Sequence, residues 1–147
     1  MKIKIAWIGK TKSPAIQSMT DEYVKRIQRY TGAETLQLAD ESALLKLRDK
    51  SGPRPAHAIV LLDSRGRQLT SEEFAQFLQT HQDRNPQPLI LAIGPADGFS
   101  DAARKSATAT ISLGKMTLAH ELARIVLLEQ VYRAFTILKG HPYHTGH

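Results

Sequence analysis

Residues 58–93 read AIVLLDSRGRQLTSEEFAQFLQTHQDRNPQPLILAI, and this stretch decides the fold class. It opens on Ala58–Leu62 and closes on Leu89–Ile93, two continuous apolar runs of the kind a strand carries when both its faces are covered. Between them Thr70 and Glu73 have capping-box spacing, followed by Phe74, Phe77 and Leu78 at helical intervals. Pro86 and Pro88 separate that helix from the second run. A buried strand, a capped helix and a second buried strand make a parallel β-α-β unit.

The same alternation continues outward in both directions. Toward the N-terminus, Lys2–Ile8 reads as a strand with Ile3 and Ile5 on one face. Ser13-Pro14 starts a helix with a capping hydroxyl and a proline at the first helical position. Ile16, Met19, Tyr23, Ile27 and Tyr30 follow, and Gly32 is expected to end that helix. Glu34–Ala39 is a second strand, and Asp40 caps a short helix with Leu44, Leu45 and Leu47. The segment 51–55, SGPRP, breaks the chain. Toward the C-terminus, Ser100-Asp101 opens a short helix and Thr108–Leu113 is a fifth strand. A long helix spans about Ala119–Lys139, ended by Gly140 and Pro142. The expected architecture is α/β, a mostly parallel sheet with helices on both faces, in one domain over residues 1–147. No internal repeat or linker interrupts it. The long helix is apolar around most of its circumference, which predicts cover on both sides, by its own core and by a second copy of the chain.

Composition narrows the chemistry. A chain of 147 residues buries roughly two thirds of its unfolded surface and needs no disulfide or structural metal. It has no cysteine, which excludes thiol catalysis and thiolate metal sites and fits a reducing cytosol. No apolar run approaches a membrane span, and no secretory leader is expected. Lys and Arg number 20 against 14 Asp and Glu, a net charge of +6 that fits either a polyanionic partner or an ordinary basic protein.

In a parallel sheet, ligands bind beyond the carboxyl ends of the strands. Three such ends carry glycine: residues 62–67 (LDSRGR), 93–99 (IGPADGF) and 113–118 (LGKMTL). None is a GxGxxG or GxxxxGK[ST] signature, so nucleotide phosphates have little support. Taken singly these glycines are turn residues. Together at one edge they favour a pocket, since glycine lets backbone approach a ligand. His120 opens the long helix, where the dipole disfavours protonation; a base, a hydrogen-bond partner and a simple helix cap all fit. Arg124 and Arg133 project from the same helix. Glu129 lies four residues before Arg133 and offers an intrahelical pair; phosphate binding at a protomer boundary is the alternative. His141, His144 and His147 recur every third residue, but no Cys or carboxylate stands near, and no metal is expected. Tyr143 suits contact with a base. Lys10, Lys12, Lys25, Arg26 and Arg29 form a solvated face or an RNA footprint. No Ser–His–Asp order or carboxylate pair stands out, so a reaction that needs mostly positioning fits best.

Several segments carry a resemblance: KIKIAWIGK at 2–10, IVLLDSRGRQLTSEEFA at 59–75, IGPADGFS at 93–100, KMTLAHELARIVLLEQVYRAF at 115–135, and HPYH at 141–144. In these the chain closely resembles the ribosomal RNA large-subunit methyltransferase H family of the SPOUT superfamily. The resemblance runs the whole length. It implies a trefoil knot at the C-terminal end of the sheet, and methylation of a pseudouridine at N3 in 23S rRNA within the ribosome. It also implies S-adenosyl-L-methionine as methyl donor, a homodimer and a cytoplasmic location. Leu62, Gly94 and Leu113, Gly114, Lys115, Met116, Thr117 and Leu118 match cofactor-contacting positions. His120, Arg133, Tyr143 and His144 match positions near the target base, with the tail reaching a site formed with the other protomer. His120 or His144 would accept the N3 proton. Pro95 departs from the second glycine usual in the family and lacks an amide donor. Ala96-Asp97-Gly98 stands where Pro-Glu-Gly is frequent. Thr145-Gly146-His147 replaces the basic residue that often follows HPYH.

A non-catalytic RNA- or ribosome-binding protein on the same fold is the alternative. A flavodoxin-like ligand carrier is opposed by the lack of a hydroxyl-rich loop after the first strand.

Overall fold

The computed structural model describes residues 1–51, 53–95 and 97–145. Gly52, Ala96, Gly146 and His147, each part of a motif above, lie outside the described residues.

Strand β1 (Lys2–Ile8) leads to α1 (Pro14–Ile27), β2 (Gly32–Leu38) and α2 (Glu41–Lys46). A two-residue antiparallel pair, β3 (Lys50–Ser51) with β4 (Arg54–Pro55), fills the break before β5 (Ala58–Gln68). Then come α3 (Ser71–Arg84), β6 (Leu89–Ile93), α4 (Asp101–Ser106), β7 (Ala109–Ser112) and α5 (His120–Leu138). The main sheet has five strands in the order β2-β1-β6-β5-β7, and every pairing is parallel.

The caps read from sequence hold. Ser13, Asp40, Thr70 and Ser100 each accept a hydrogen bond from the backbone amide three residues on, and Thr70–Glu73 closes a full capping box. Gly32 does not end α1; it begins β2, and the helix stops at Ile27 with Gln28 as cap. Gln28 instead donates its side-chain amide to Ala33 O at 2.9 Å, tying the helix end to the next strand. β1 is also buried on both faces: Ala6 is as covered as Ile3 and Ile5, because β1 lies between β2 and β6 with helices on either side.

Two cores result. On one face α1, α3 and α5 cover Ile3, Ile5, Val60, Leu89 and Leu91. On the other, Leu44 of α2 and Ala103 of α4 cover Ala6, Ile59, Leu61, Ile90 and Ala92. α5 packs between α1 and α3, so Leu127, Leu128, Val131 and Ala134 are buried within one chain. The expectation that this helix needs a second copy for cover is thereby weakened. Leu122 remains 48% exposed on it and Met19 on α1 43%.

β5 outruns the expected Ala58–Leu62 strand. Ile111 of β7 is paired with Leu62 and again with Arg67, so residues 63–66 bow across the neighbouring strand. Gly66 makes this possible: a Cβ there would lie 2.6 Å from Ile111 N and from Thr110 C and O.

Candidate active site

The three glycine-bearing loops converge at the carboxyl edge of β5, β6 and β7, around a cavity of about 210 Å³. Of the expected cofactor residues, Leu62, Gly94, Leu113, Gly114, Met116, Thr117 and Leu118 line it; Lys115 points to solvent and does not. His120 and Ala123 close the wall from the first turn of α5.

Local sequence explains the shape. The Ser112 hydroxyl accepts from Gly114 N at 3.1 Å and donates to Gly114 O at 2.8 Å, while Gly114 takes φ +140°. That turns the chain away from β7 toward α5. Gly98, at φ +83°, donates its amide to Pro95 O at 2.9 Å and closes a tight turn over the cavity. Pro95 therefore serves through its carbonyl, which its ring leaves intact. A Cβ on Gly94 would meet the Phe99 ring at 2.9 Å, so the buried aromatic sets how close this loop lies.

Asp63 is the residue that sequence reading passed over. It follows an apolar strand directly and its side chain is 4% exposed. One oxygen accepts from Arg65 N at 2.9 Å and the other from Phe99 N at 3.2 Å, joining two of the three loops. Arg104 adds a second tie, donating to Phe99 O at 2.6 Å and facing Asp63 at 3.8 Å. A lone carboxylate at the end of an apolar strand was the available signal.

Glu121 fixes the start of α5. Its Oε1 accepts from Lys12 N at 2.9 Å and Ser13 N at 3.2 Å, and the Ser13 amide first, then Lys12, holds its carboxyl below the usual range. Arg124 is fully buried, with its guanidinium 3.6 Å from the Trp7 ring centroid and a hydrogen bond of 2.9 Å to Thr11 Oγ1. Burial pushes its pKa down. Held this way, Arg124 is no phosphate ligand.

His120 and the other expected catalytic residues do not meet within one chain. Arg133 lies 13 positions further along α5, about 20 Å at 1.5 Å per residue. There the tail folds back. Arg133 Nη2 lies 2.5 Å from Glu129 Oε1, the intrahelical pair expected, and Glu129 holds the guanidinium pKa up. Arg133 Nη1 donates to His144 Nδ1 at 2.8 Å, and His144 Nε2 lies 2.7 Å from Glu72 Oε1. Because arginine only donates, Nδ1 is the bare nitrogen and Nε2 carries the proton to Glu72. Tyr143 donates to Glu129 at 3.3 Å and packs edge-on against Tyr132; burial first, then Glu129, raises its phenol. His141 is exposed. Among the described residues no three His, Asp or Glu side chains group as metal ligands, and no helix is long and apolar enough to cross a membrane.

The cavity at the carboxyl edge of the sheet, the glycine loops and the all-parallel pairing coincide with a whole-chain match: residues 1–144 fit the family described as "Predicted SPOUT methyltransferase". The chain belongs to the SPOUT methyltransferase family. A protein of Koribacter versatilis named ribosomal RNA large subunit methyltransferase H is 58% identical over 147 residues, covering all of both chains. One of the same name from Geotalea daltonii is 45% identical, covering 98% of this chain and 99% of its own. These place the chain among the H-type members of the SPOUT family. A solved structure of a probable methylase family protein from Haemophilus influenzae superposes with a TM-score of 0.60 at 10% identity, over 96% of this chain and 69% of that one. That likeness concerns the SPOUT fold alone.

Proposed function

We propose that this protein methylates N3 of a pseudouridine in 23S rRNA of the large ribosomal subunit, acting in the cytoplasm as a homodimer with S-adenosyl-L-methionine as methyl donor. The observation that carries the reading is the cavity bounded by Leu62, Gly94 and residues 113–118, in a chain 58% identical along its whole length to a protein named for rRNA methylation.

The residues suit that donor. Leu62, Ile93, Leu113 and Leu118 offer apolar walls, and the glycine turns expose backbone where a nucleoside would bond. When bound, the donor supplies a methyl group on a positively charged sulfur, a good leaving group that needs no metal. The chain then has two tasks, to orient the target ring and to accept the N3 proton. His120, on the cavity wall and without a hydrogen-bond partner among the described residues, is free to accept it. His144 has its bare nitrogen occupied by Arg133 and is better suited to orienting the base with Tyr143. These assignments need two chains. Arg133, Tyr143 and His144 stand a helix length from their own cavity, so a two-fold dimer with antiparallel α5 helices would set each tail at its partner's cavity. The trefoil knot belongs to the same proposal; residues 63–66 bowing over β7, with Gly66 against Thr110, support it.

The test is incubation of the purified protein with labelled S-adenosyl-L-methionine and ribosomes from a strain lacking the modification, followed by nucleoside mapping. Label in N3-methylated pseudouridine is expected. Absence of cofactor binding would overturn the reading, and binding without transfer would favour a non-catalytic ribosome-binding protein. In the same assay His120→Ala is expected to lower kcat, whereas His144→Ala should raise KM for the ribosome more than it lowers kcat.

A further inference from the structure

We propose that the loop 9–13, which presents Lys10 and Lys12, is a preformed phosphate-binding arm of the substrate face. This rests on the reading above that the substrate is RNA.

The loop leaves the carboxyl end of β1, beside β6, whose own end forms the cavity wall. It lies against the first turn of α5, one residue from His120, through the bonds of Lys12 N and Ser13 N to Glu121. Lys10 and Lys12 are exposed and have no carboxylate partner among the described residues. Some cations elsewhere are paired, Lys2 and Lys4 with Glu34, Arg26 with Glu22 and Arg133 with Glu129, while Lys25 and Arg29 are as unmatched among the described residues as Lys10 and Lys12. On the cavity lining Arg65 is exposed and unmatched among the described residues, and exposed Lys115 follows Gly114 of the wall; with Lys10 and Lys12 these cations outnumber the exposed Asp97 of the same lining, so this edge carries a net positive rim. Such a rim attracts a polyanion and releases its counterions.

What sets this loop apart is how it is held. Gly9 N donates to Leu38 O at 2.9 Å, Glu121 binds two successive amides, and Thr11 Oγ1 accepts from Arg124. Arg124 is fully buried on Trp7, and its Nε has no acceptor among the described residues. A buried guanidinium with an unmatched donor is costly. Here its charged donor is directed at the hydroxyl of an otherwise exposed loop. The loop thus keeps its conformation without a ligand, and little backbone entropy is lost when phosphate arrives. Lysine is a compact point charge that suits the phosphate backbone rather than a base edge. Lys25 and Arg29 sit at or beyond the far end of α1, 14 residues or about 20 Å away, and lie outside the arm.

The experiment measures binding to unmodified ribosomes across a range of KCl at fixed Mg²⁺. For Lys10→Gln/Lys12→Gln the slope of log K against log salt should shrink by about one per lysine. Cofactor affinity and melting temperature should match the parent. Thr11→Val keeps both charges but removes the acceptor of Arg124; it should weaken binding with the slope nearly intact. An unchanged slope in the double-lysine variant overturns the proposal. So does an equal loss in Lys25→Gln/Arg29→Gln, which would mean a diffuse basic face. A parent protein that binds cofactor but shows no salt-dependent ribosome binding would instead sink the RNA reading itself.

Discussion

At the scale of single residues, the tightest constraint is at Gly66. Its position against the backbone of Thr110 and Ile111 leaves no room for a methyl group, and the atoms in the way are main chain, which yields little. Gly66→Ala must move β7 or the 63–66 bow, and overpacking of this kind costs about 1–3 kcal/mol. A lower denaturant midpoint with an unchanged slope would register it; a midpoint equal to the parent's would mean that the bow is loose. Asp63 acts differently, since its two oxygens hold amides of separate loops and so couple their positions. In a linear reading Asp63 shows only as a lone carboxylate after an apolar strand, and the role of Gly66 does not show at all. Glycine after Ser-Arg looks like an ordinary turn residue, and the close approach that demands it involves a strand some 45 positions further on. Arg124 shows the same limit. An arginine on an apolar helix reads as a surface or interface group, and only its stacking on Trp7 reveals it as a buried brace.

At the scale of elements, the helix starts were legible because their signals are local. Ser13, Asp40, Thr70 and Ser100 cap as read, since each bonds an amide three residues away. The strand limits were less so, because pairing with a distant partner sets them. β5 runs to Gln68 only through its second pairing with β7, and Gly32 begins a strand because Lys2 lies beside it. The first turn of α5 offers a test of the capping logic across elements. Ala119 has no side-chain acceptor of its own, while Glu121 caps the amides at the start of α1 instead. Its carboxyl is held low, so this tie stabilises the fold above the ordinary glutamate pKa. It is lost as pH falls through the lowered folded value. Amide chemical shifts of Lys12 and Ser13, followed by NMR on acidification, should therefore move with a midpoint below about 4.3. A midpoint at or above that value would show that the carboxylate is not held by these amides.

For the whole molecule, the question is which chain supplies each half of the site. The cavity and His120 lie at the start of α5, and Arg133, Tyr143 and His144 near its end, so one chain cannot bring them together without dismantling its helix. The proposal of a site shared by two chains rests on that separation along α5. Complementation separates the alternatives. One variant has its cavity blocked, Gly94→Trp, whose side chain would collide with Phe99. The other has its tail disabled, Tyr143→Phe/His144→Ala. Each alone should be inactive or nearly so. After unfolding and refolding as an equal mixture, half of the two-fold dimers pair one of each. In a shared-site dimer such a pair holds one intact cavity facing one intact tail. Activity should then recover to about a quarter of the parent's, the fraction of sites restored under random pairing. If tail and cavity of the same chain work together, no pairing restores a site and the mixture stays as inactive as its components. Cofactor binding measured on the same mixture guards against misfolding, since half of the chains keep an untouched cavity in either case.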